Sequence, residues 1–302
     1  MKSEEWETAN LTDFLLTPRF SLLTPPMLHC GNFRLPLHRP LIMGIVNVTP
    51  DSFSDGGRFV SPSAAIEQAC RLVEEGADLL DVGGESSRPG ALPVSVEEEL
   101  RRVLPVVEAL RNGNVPVSVD TCKTEVMRAV IGAGAAMIND IDALQGNGAL
   151  AAVADSNVAV CLMHKQGSAQ TMQLTPGYRD VVAEVAAFLA ARMAAADAAG
   201  IGRERITVDP GFGFGKTLEH NVELLRRLDR FRALGVPVLA GLSRKSMLGL
   251  LAGIERAEAR VHASVAAAIL AVQKGAKIIR VHDVKATREA LQIVDAIEGN
   301  HD

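Results

Sequence analysis

The stretch EGADLLDVGG, Glu75–Gly84, holds the deciding pattern: glycine and a small residue, a short apolar run, then polar and glycine positions. The same opening recurs in GAGAAMIND (Gly132–Asp140), LGVPVLAG (Leu234–Gly241) and KGAKIIRVH (Lys274–His282). Outward from it, similar runs begin at Leu41 (LIMGIVNV), Asp78 (DLLDVGG), Val115 (VPVSVD), Ala135 (AAMIND), Val158 (VAVCLMH), Arg205 (RITVDPG), Val236 (VPVLAGLS) and Lys277 (KIIRVHD). Runs this short, without strict polar alternation, fit strands buried on both faces. A helix-length segment follows each, which is the grammar of parallel βα units and an internal repeat. Eight such units in roughly 260 residues predict an α/β fold of the (β/α)8 TIM-barrel kind. A doubly wound open sheet is the competing topology.

The helices carry their own punctuation. Ser61-Pro62 reads as an N-cap with a first-turn proline, and Gly76 as the stop of that helix. Ser95 and Glu98 have the spacing of a capping box. Gly200 and Gly275 lie just past the Ala-rich patterns 178–199 and 256–274, where a left-handed terminal residue is expected. Residues 1–26, with Pro18, Pro25 and Pro26, precede the pattern and read as a loosely held extension. Met27–Pro40 reads as a hairpin closing the barrel's bottom, and residues 27–302 as one domain.

Composition limits the function classes. The 302 residues are 48% hydrophobic, which excludes disorder over most of the chain. A net charge of −5 argues against a general basic surface for nucleic acid, but permits a locally cationic pocket for a small anion. No charge-free apolar run reaches membrane-span length, and the acidic start MKSEEWETAN is not a signal peptide. Cys30, Cys70, Cys122 and Cys161 form no C-x-x-C pair, the usage of reduced thiols in a cytoplasmic protein.

In this fold, side chains at the carboxyl ends of the strands do the chemistry. Those ends carry Asn47 before the loop VTPDSFSDGGRF; Glu85, Ser86, Ser87 and Arg88 in GGESSRPGA; Asp120; Asn139 and Asp140; Met163 and His164. They continue with Asp209 before PGFGFGK, Ser243-Arg244-Lys245, and Arg280 with His282. Taken alone, a strand-end Asp or Asn is a helix cap, and His164 a packed, hydrogen-bonded histidine. GFGFGK lacks the spacing of a nucleotide loop. Together, eight polar strand ends converging on one mouth call for another explanation. Asp120, Asn139, Asp209 and Lys245 can match the donors and acceptors of a flat amino-heterocycle. Arg280 and His282 share a face and, with Arg88 and Arg244, make a cationic side for phosphate or carboxylate. Asn47 offers a neutral oxygen that can complete a magnesium shell. The reading is a barrel that binds a planar nitrogen heterocycle together with an anion.

GIVNVTPDSFSDGG from Gly44, DVGGESSRPGA from Asp81, SVDT, INDI, MHKQG, VDPGFGFGK, SRKS and RVHD closely resemble the dihydropteroate synthase family, from about Met27 to Glu298. The resemblance implies a (β/α)8 barrel, usually a homodimer, and a transferase of folate biosynthesis that sulfonamides inhibit. It implies condensation of 6-hydroxymethyl-7,8-dihydropterin pyrophosphate with p-aminobenzoate, giving 7,8-dihydropteroate and pyrophosphate. By the same resemblance Asp120, Asn139, Asp209 and Lys245 hold the pterin, with Met163 against its ring. Asn47, Arg280 and His282 hold the pyrophosphate, with Mg2+ at Asn47. Ser87, Arg88, Phe214, Lys245 and Ser246 surround the aminobenzoate, and Asp120, Lys245, Arg280 and His282 carry the catalysis. Ser87 stands where the family pattern has threonine, keeping the hydroxyl and losing a methyl; Lys165 replaces a more usual apolar residue. A methyltetrahydrofolate-binding methyltransferase and a non-catalytic pterin-binding barrel are the rival readings. The first gives no reason for the Arg-x-His pair on the last strand.

Overall fold

The computed structural model describes residues 27–49, 62–86, 91–167 and 171–298. The N-terminal extension, the Ser61 cap, Ser87 and Arg88 lie outside the described residues.

Two short strands, β1 (Met27–Cys30) and β2 (Phe33–Pro36), form the expected antiparallel hairpin. It turns at Gly31, whose φ of +57° suits a residue without a side chain. Leu28, Cys30 and Leu37 close the amino end of the barrel in one cluster with Leu41, Met43, Leu79, Met137, Cys161, Leu239 and Ile278. Each of the eight runs read from the sequence becomes a strand. They are β3 (Leu41–Asn47), β4 (Leu79–Gly83), β5 (Val117–Asp120), β6 (Met137–Asp140), β7 (Ala159–Met163), β8 (Ile206–Asp209), β9 (Leu239–Ala240) and β10 (Ile278–Val281).

The strands pair in parallel in the order β8-β7-β6-β5-β4-β3-β10-β9. A parallel bridge between Val208 and Val238, with the Val208 amide donating to the Pro237 carbonyl at 3.0 Å, joins the two ends and closes the barrel. The open-sheet alternative is thereby excluded. Between the strands run α1 (Pro62–Glu74), α2 (Val96–Leu110), α3 (Thr124–Ala133), α4 (Ala149–Ala154), α5 (Val181–Ala198), α6 (Leu218–Arg226), α7 (Ser246–Ala252) and α8 (Val261–Gln273), and α9 (Val284–Glu298) follows the last strand. Their buried faces pack on the outward side chains of the strands, as in Val103, Val106 and Val107 of α2 and Val126, Met127 and Val130 of α3.

Gly76, Gly200 and Gly275 all adopt the left-handed conformation expected of helix stops. The capping box at Ser95 is only half made. The Ser95 hydroxyl accepts the Glu98 amide at 3.2 Å, but the Glu98 carboxylate turns away to Arg101 and Arg102, at 2.7 Å each. A complete box forms instead at Thr217 and His220.

Register fixes which side chains share a level inside. Going round the barrel, each in-register neighbour sits one residue lower, so a residue two positions on, two strands away, returns to the same height. Asp81 pairs with Ser118 and Ser118 with Met137, which puts Asn139 level with Asp81. Continued through β8, β9 and β10, the same step reaches Asp209 and then Arg280. One interior layer is therefore polar: Asp81, Asn139, Asp209 and Arg280, from alternate strands. Beneath it lie Met43, Ser118, Cys161 and Leu239; above it, Ile45, Asp120, Met163 and Gly241 open toward the mouth.

Candidate active site

The polar layer is bonded across the barrel. Arg280 donates from Nε to Asp81 Oδ2 at 2.6 Å and from Nη2 to Asp120 Oδ2 at 3.0 Å. Asn139 Nδ2 donates to the same Asp81 oxygen at 3.0 Å. Asp81 is fully buried, and its Oδ1 has no hydrogen-bond partner among the described residues. Burial pushes the Asp120 carboxyl up to about 7 against the pull of Arg280, with Asp81, Glu99 and Asp140 adding in the same upward direction. The two carboxylates in turn hold the Arg280 guanidinium firmly protonated against its own desolvation.

Asn47 and Asp120 end β3 and β5 on either side of Gly83, with which both are in register. A Cβ at Gly83 would lie 3.7 Å from the Asp120 Cβ and 3.9 Å from Asn47 Oδ1. The missing side chain leaves a cleft between an amide oxygen and a carboxylate.

The opposite wall is the turn Gly211–Lys216. The Gly211 amide donates to Asp209 Oδ1 at 2.7 Å, fixing one oxygen of that carboxylate. Burial raises the Asp209 carboxyl, opposed by Lys245, the Gly211 amide, Lys216 and Arg280. Lys245 Nζ donates to the Phe212 carbonyl and stands 4.6 Å from the centre of the Phe214 ring. Desolvation brings this ammonium down to about 8, despite the attraction of Asp209. Ser246 begins α7 beside it and is exposed, while Met163, at the end of β7, is buried.

Lys216 was not among the residues singled out from the sequence. It is buried and places its ammonium 2.9 Å from the Gly211 carbonyl, 3.0 Å from the Phe214 carbonyl and 3.0 Å from His164 Nδ1. Desolvation lowers it to about 7. The same turn presses on β7: a Cβ at Gly211 would come within 1.8 Å of the His164 carbonyl oxygen, so glycine is required there. His164 is the packed histidine expected, set edge-on to Phe188 at 5.0 Å and kept neutral by burial and by Lys216. Asp140 is likewise a loop cap, accepting the Asp142 and Leu144 amides at 2.7 Å each.

The structure corrects one expectation. Arg244 does not join a cationic patch with Arg280. Its φ of +59° turns it to Asp283, which takes the guanidinium in two bonds of 3.0 and 2.5 Å. Just beyond the last strand, His282 Nδ1 lies 3.0 Å from the Ser243 hydroxyl, which also accepts the His282 amide at 3.2 Å. Lys165, unexplained from sequence, pairs with Asp142. The start of the loop after β4 is held by Lys123, which bridges Glu85 and the buried Glu99, and by Arg102 donating to the Gly84 carbonyl at 2.7 Å.

The class defined by this fold and mouth is a TIM-barrel enzyme whose ionisable groups surround a deep polar floor. A model of the family described as "Pterin binding enzyme" matches residues 43–282. The dihydropteroate synthase of Escherichia coli (strain K12) is 52% identical over 263 residues, covering 87% of this chain and 93% of that protein. A structure of Xanthomonas albilineans dihydropteroate synthase with 4-aminobenzoic acid is 57% identical and superposes with a TM-score of 0.87, covering 91% of this chain and 99% of that one. The same organism's enzyme in complex with 7,8-dihydropteroate is 55% identical with a TM-score of 0.83 over the same shares. The chain belongs to the dihydropteroate synthases, within the pterin-binding enzyme family.

Proposed function

We propose that the chain condenses 6-hydroxymethyl-7,8-dihydropterin pyrophosphate with p-aminobenzoate, releasing pyrophosphate. The observation that carries this is the layered mouth, in which a floor of Asp81, Asn139, Asp209 and Arg280 lies under Asp120 and beside the Lys245–Phe214 wall. In this reading Asn139, Asp209 and Lys245 hold the pterin ring edge and Met163 packs on its face. Arg280 and His282 take the diphosphate, and Phe214, Lys245 and Ser246 face the aminobenzoate. Ser87 and Arg88 join them by resemblance alone.

The bond that breaks joins the pterin methylene to the diphosphate oxygen; the bond that forms joins that carbon to the aromatic amine. The electron pair leaves with the diphosphate, and the amine loses its proton after attack. Early cleavage is favoured because the ring nitrogens spread the positive charge left on the methylene. Asp120 faces that charge, while Arg280 and His282 face the departing anion, so both developing charges meet preorganised opposites. Water is the competing nucleophile, and loops folded over the mouth would exclude it.

Among the described residues no group of three His, Cys, Asp or Glu is placed to hold a metal ion. Asn47 Oδ1, beside the cleft over Gly83, fits a magnesium ion held mainly by diphosphate oxygens and water. Bound there, Mg2+ would neutralise charge on the leaving group.

A homodimer is supported by exposed apolar side chains on three successive helices: Leu250 and Leu251 of α7, Leu270 of α8, and Ile293 and Ile297 of α9. A cytoplasmic setting is supported by four unpaired cysteines. No described helix is long and apolar enough to cross a membrane. The test of the activity is to incubate the protein with both substrates and magnesium and follow dihydropteroate by mass spectrometry. Product with equimolar pyrophosphate is expected. Both substrates bound without product would leave a pterin-binding module.

A further inference from the structure

The turn that walls the mouth has little stiffness of its own. Its sequence, GFGFG over Gly211–Gly215, places glycine at every other position, and all three glycines have positive φ. Its shape is therefore set by the side chains that hold it. Asp209 takes the Gly211 amide at 2.7 Å, Asn221 takes the Gly213 amide at 2.6 Å, and the Tyr178 hydroxyl donates to the Gly215 carbonyl at 2.9 Å. Phe214 is held by a different arrangement. Its amide donates to the Gly211 carbonyl at 3.2 Å. Lys216 donates to that same Gly211 carbonyl at 2.9 Å and to the Phe214 carbonyl at 3.0 Å, closing a triangle of bonds. Its nitrogen also lies 3.0 Å from His164 Nδ1, which ties the turn to the end of β7. Without Lys216 the Phe214 peptide keeps one 3.2 Å bond and a bare carbonyl. Ammonium or neutral amine, Lys216 has two hydrogens for the two carbonyls, so the clasp survives its titration.

We propose that Lys216 is a positioning residue for p-aminobenzoate: by clasping the Gly211 and Phe214 carbonyls it fixes where the Phe214 ring stands against the Lys245 ammonium. This rests on the reading that places the aminobenzoate at Phe214, Lys245 and Ser246. The ring centre is 4.6 Å from Lys245 Nζ, and Lys245 is itself bonded to the Phe212 carbonyl of the same turn. A shift of the turn therefore moves both contacts at once. The face of an aromatic ring and a cation set over it are matched only within a narrow range of distance and tilt. Lys216 is buried, and its hydrogens are spent on the turn, so it acts on the aminobenzoate through Phe214. The pterin edge rests instead on Asn139 and Asp209, side chains of β6 and β8 that the barrel itself holds.

The test measures the KM of each substrate, from steady-state formation of dihydropteroate, in the wild type, Lys216→Met, Phe214→Ala and the double variant. Lys216→Met should raise the KM for p-aminobenzoate about fivefold, less than the loss of the whole ring, and leave the pterin KM within about twofold. On the Phe214→Ala background, where no ring is left to place, the same change should add less than about twofold. A residue that merely stabilised the fold would reduce the active fraction and with it kcat, moving neither KM. Lys216→Gln, polar but one bond too short to reach both carbonyls, is the second variant should the methionine protein fail to fold, and the same factors are expected of it. A p-aminobenzoate KM within about twofold of the wild type, or both KM values rising together, overturns the proposal. So does a full rise of about fivefold on the Phe214→Ala background. A wild type that forms no dihydropteroate overturns the condensation itself, and this proposal with it.

Discussion

Replacing Lys216 by methionine keeps the length of the side chain and removes its three donors. The Gly211 and Phe214 carbonyls, at 2.9 and 3.0 Å, and His164 Nδ1, at 3.0 Å, then lose their buried partner. Each acceptor left bare costs about 1–3 kcal/mol. Relief from burying an ammonium offsets part of that sum, leaving a net loss of about 3 kcal/mol at pH 7, the usual scale for removing one member of a buried polar set. With an m-value of about 3 kcal/mol per molar urea, the unfolding midpoint should fall by about 1 M. The pH dependence is the sharper signature. Lys216 is lowered to about 7 in the folded chain, and Asp209, Lys245 and His164 are the titratable groups that face it. Above that pH the unfolded state binds the extra proton, so stability rises with pH toward the ordinary lysine value. Between pH 7.5 and 9.5 the wild type should gain about 2 kcal/mol from this residue. The methionine variant gains none from this position, while Lys245, which repels the Lys216 ammonium, titrates in both proteins. Reversible urea titrations followed by circular dichroism should show the gap between the midpoints widening with pH. A gap that is absent, or the same at both pH values, would refute the reasoning.

Asp120→Asn should keep the fold and lower kcat about a hundredfold or more, since a countercharge to a developing cation is removed. In the wild type, kcat/KM should rise with pH through about 7 as Asp120 ionises, and a pH–rate series on both proteins should show that limb gone from the variant. Phe214→Ala removes the ring beneath the Lys245 ammonium and should raise the KM for p-aminobenzoate about tenfold while leaving the pterin KM within about twofold. Leu251→Lys with Leu270→Lys places two charges on the exposed apolar helices, and sedimentation of both proteins should show a dimer for the wild type and a monomer for the variant.

The strands were legible because burial on both faces writes itself as short Val, Ile and Leu runs, and all eight appear in the barrel. Their ends were less legible. Pro237 and Gly241 flank the ladder of β9 and leave it only two residues, so the run from Val236 overstates it. Asn47, Asp120 and Met163 could be placed at the mouth from sequence because they are the last residues of their strands. Asp81 escaped the same rule, sitting in the middle of β4. The signal that could have found it is a charged residue inside a run otherwise fit for complete burial. Lys216 was hidden in GFGFGK, which lacks the spacing of a nucleotide loop and from which the family resemblance marks Phe214 alone. Arg244 was misplaced because its direction depends on Asp283, 39 residues away and joined to it only by the closed barrel.

The central claim is that one mouth grips a fused-ring amine on one side and a diphosphate on the other. Equilibrium binding of the free hydroxymethyl dihydropterin and of its diphosphate ester tests it directly, in the wild type, Asp209→Asn and His282→Ala. The account predicts that Asp209→Asn weakens both ligands by the same factor, whereas His282→Ala weakens the ester alone. Equal losses for both ligands in both variants would contradict it.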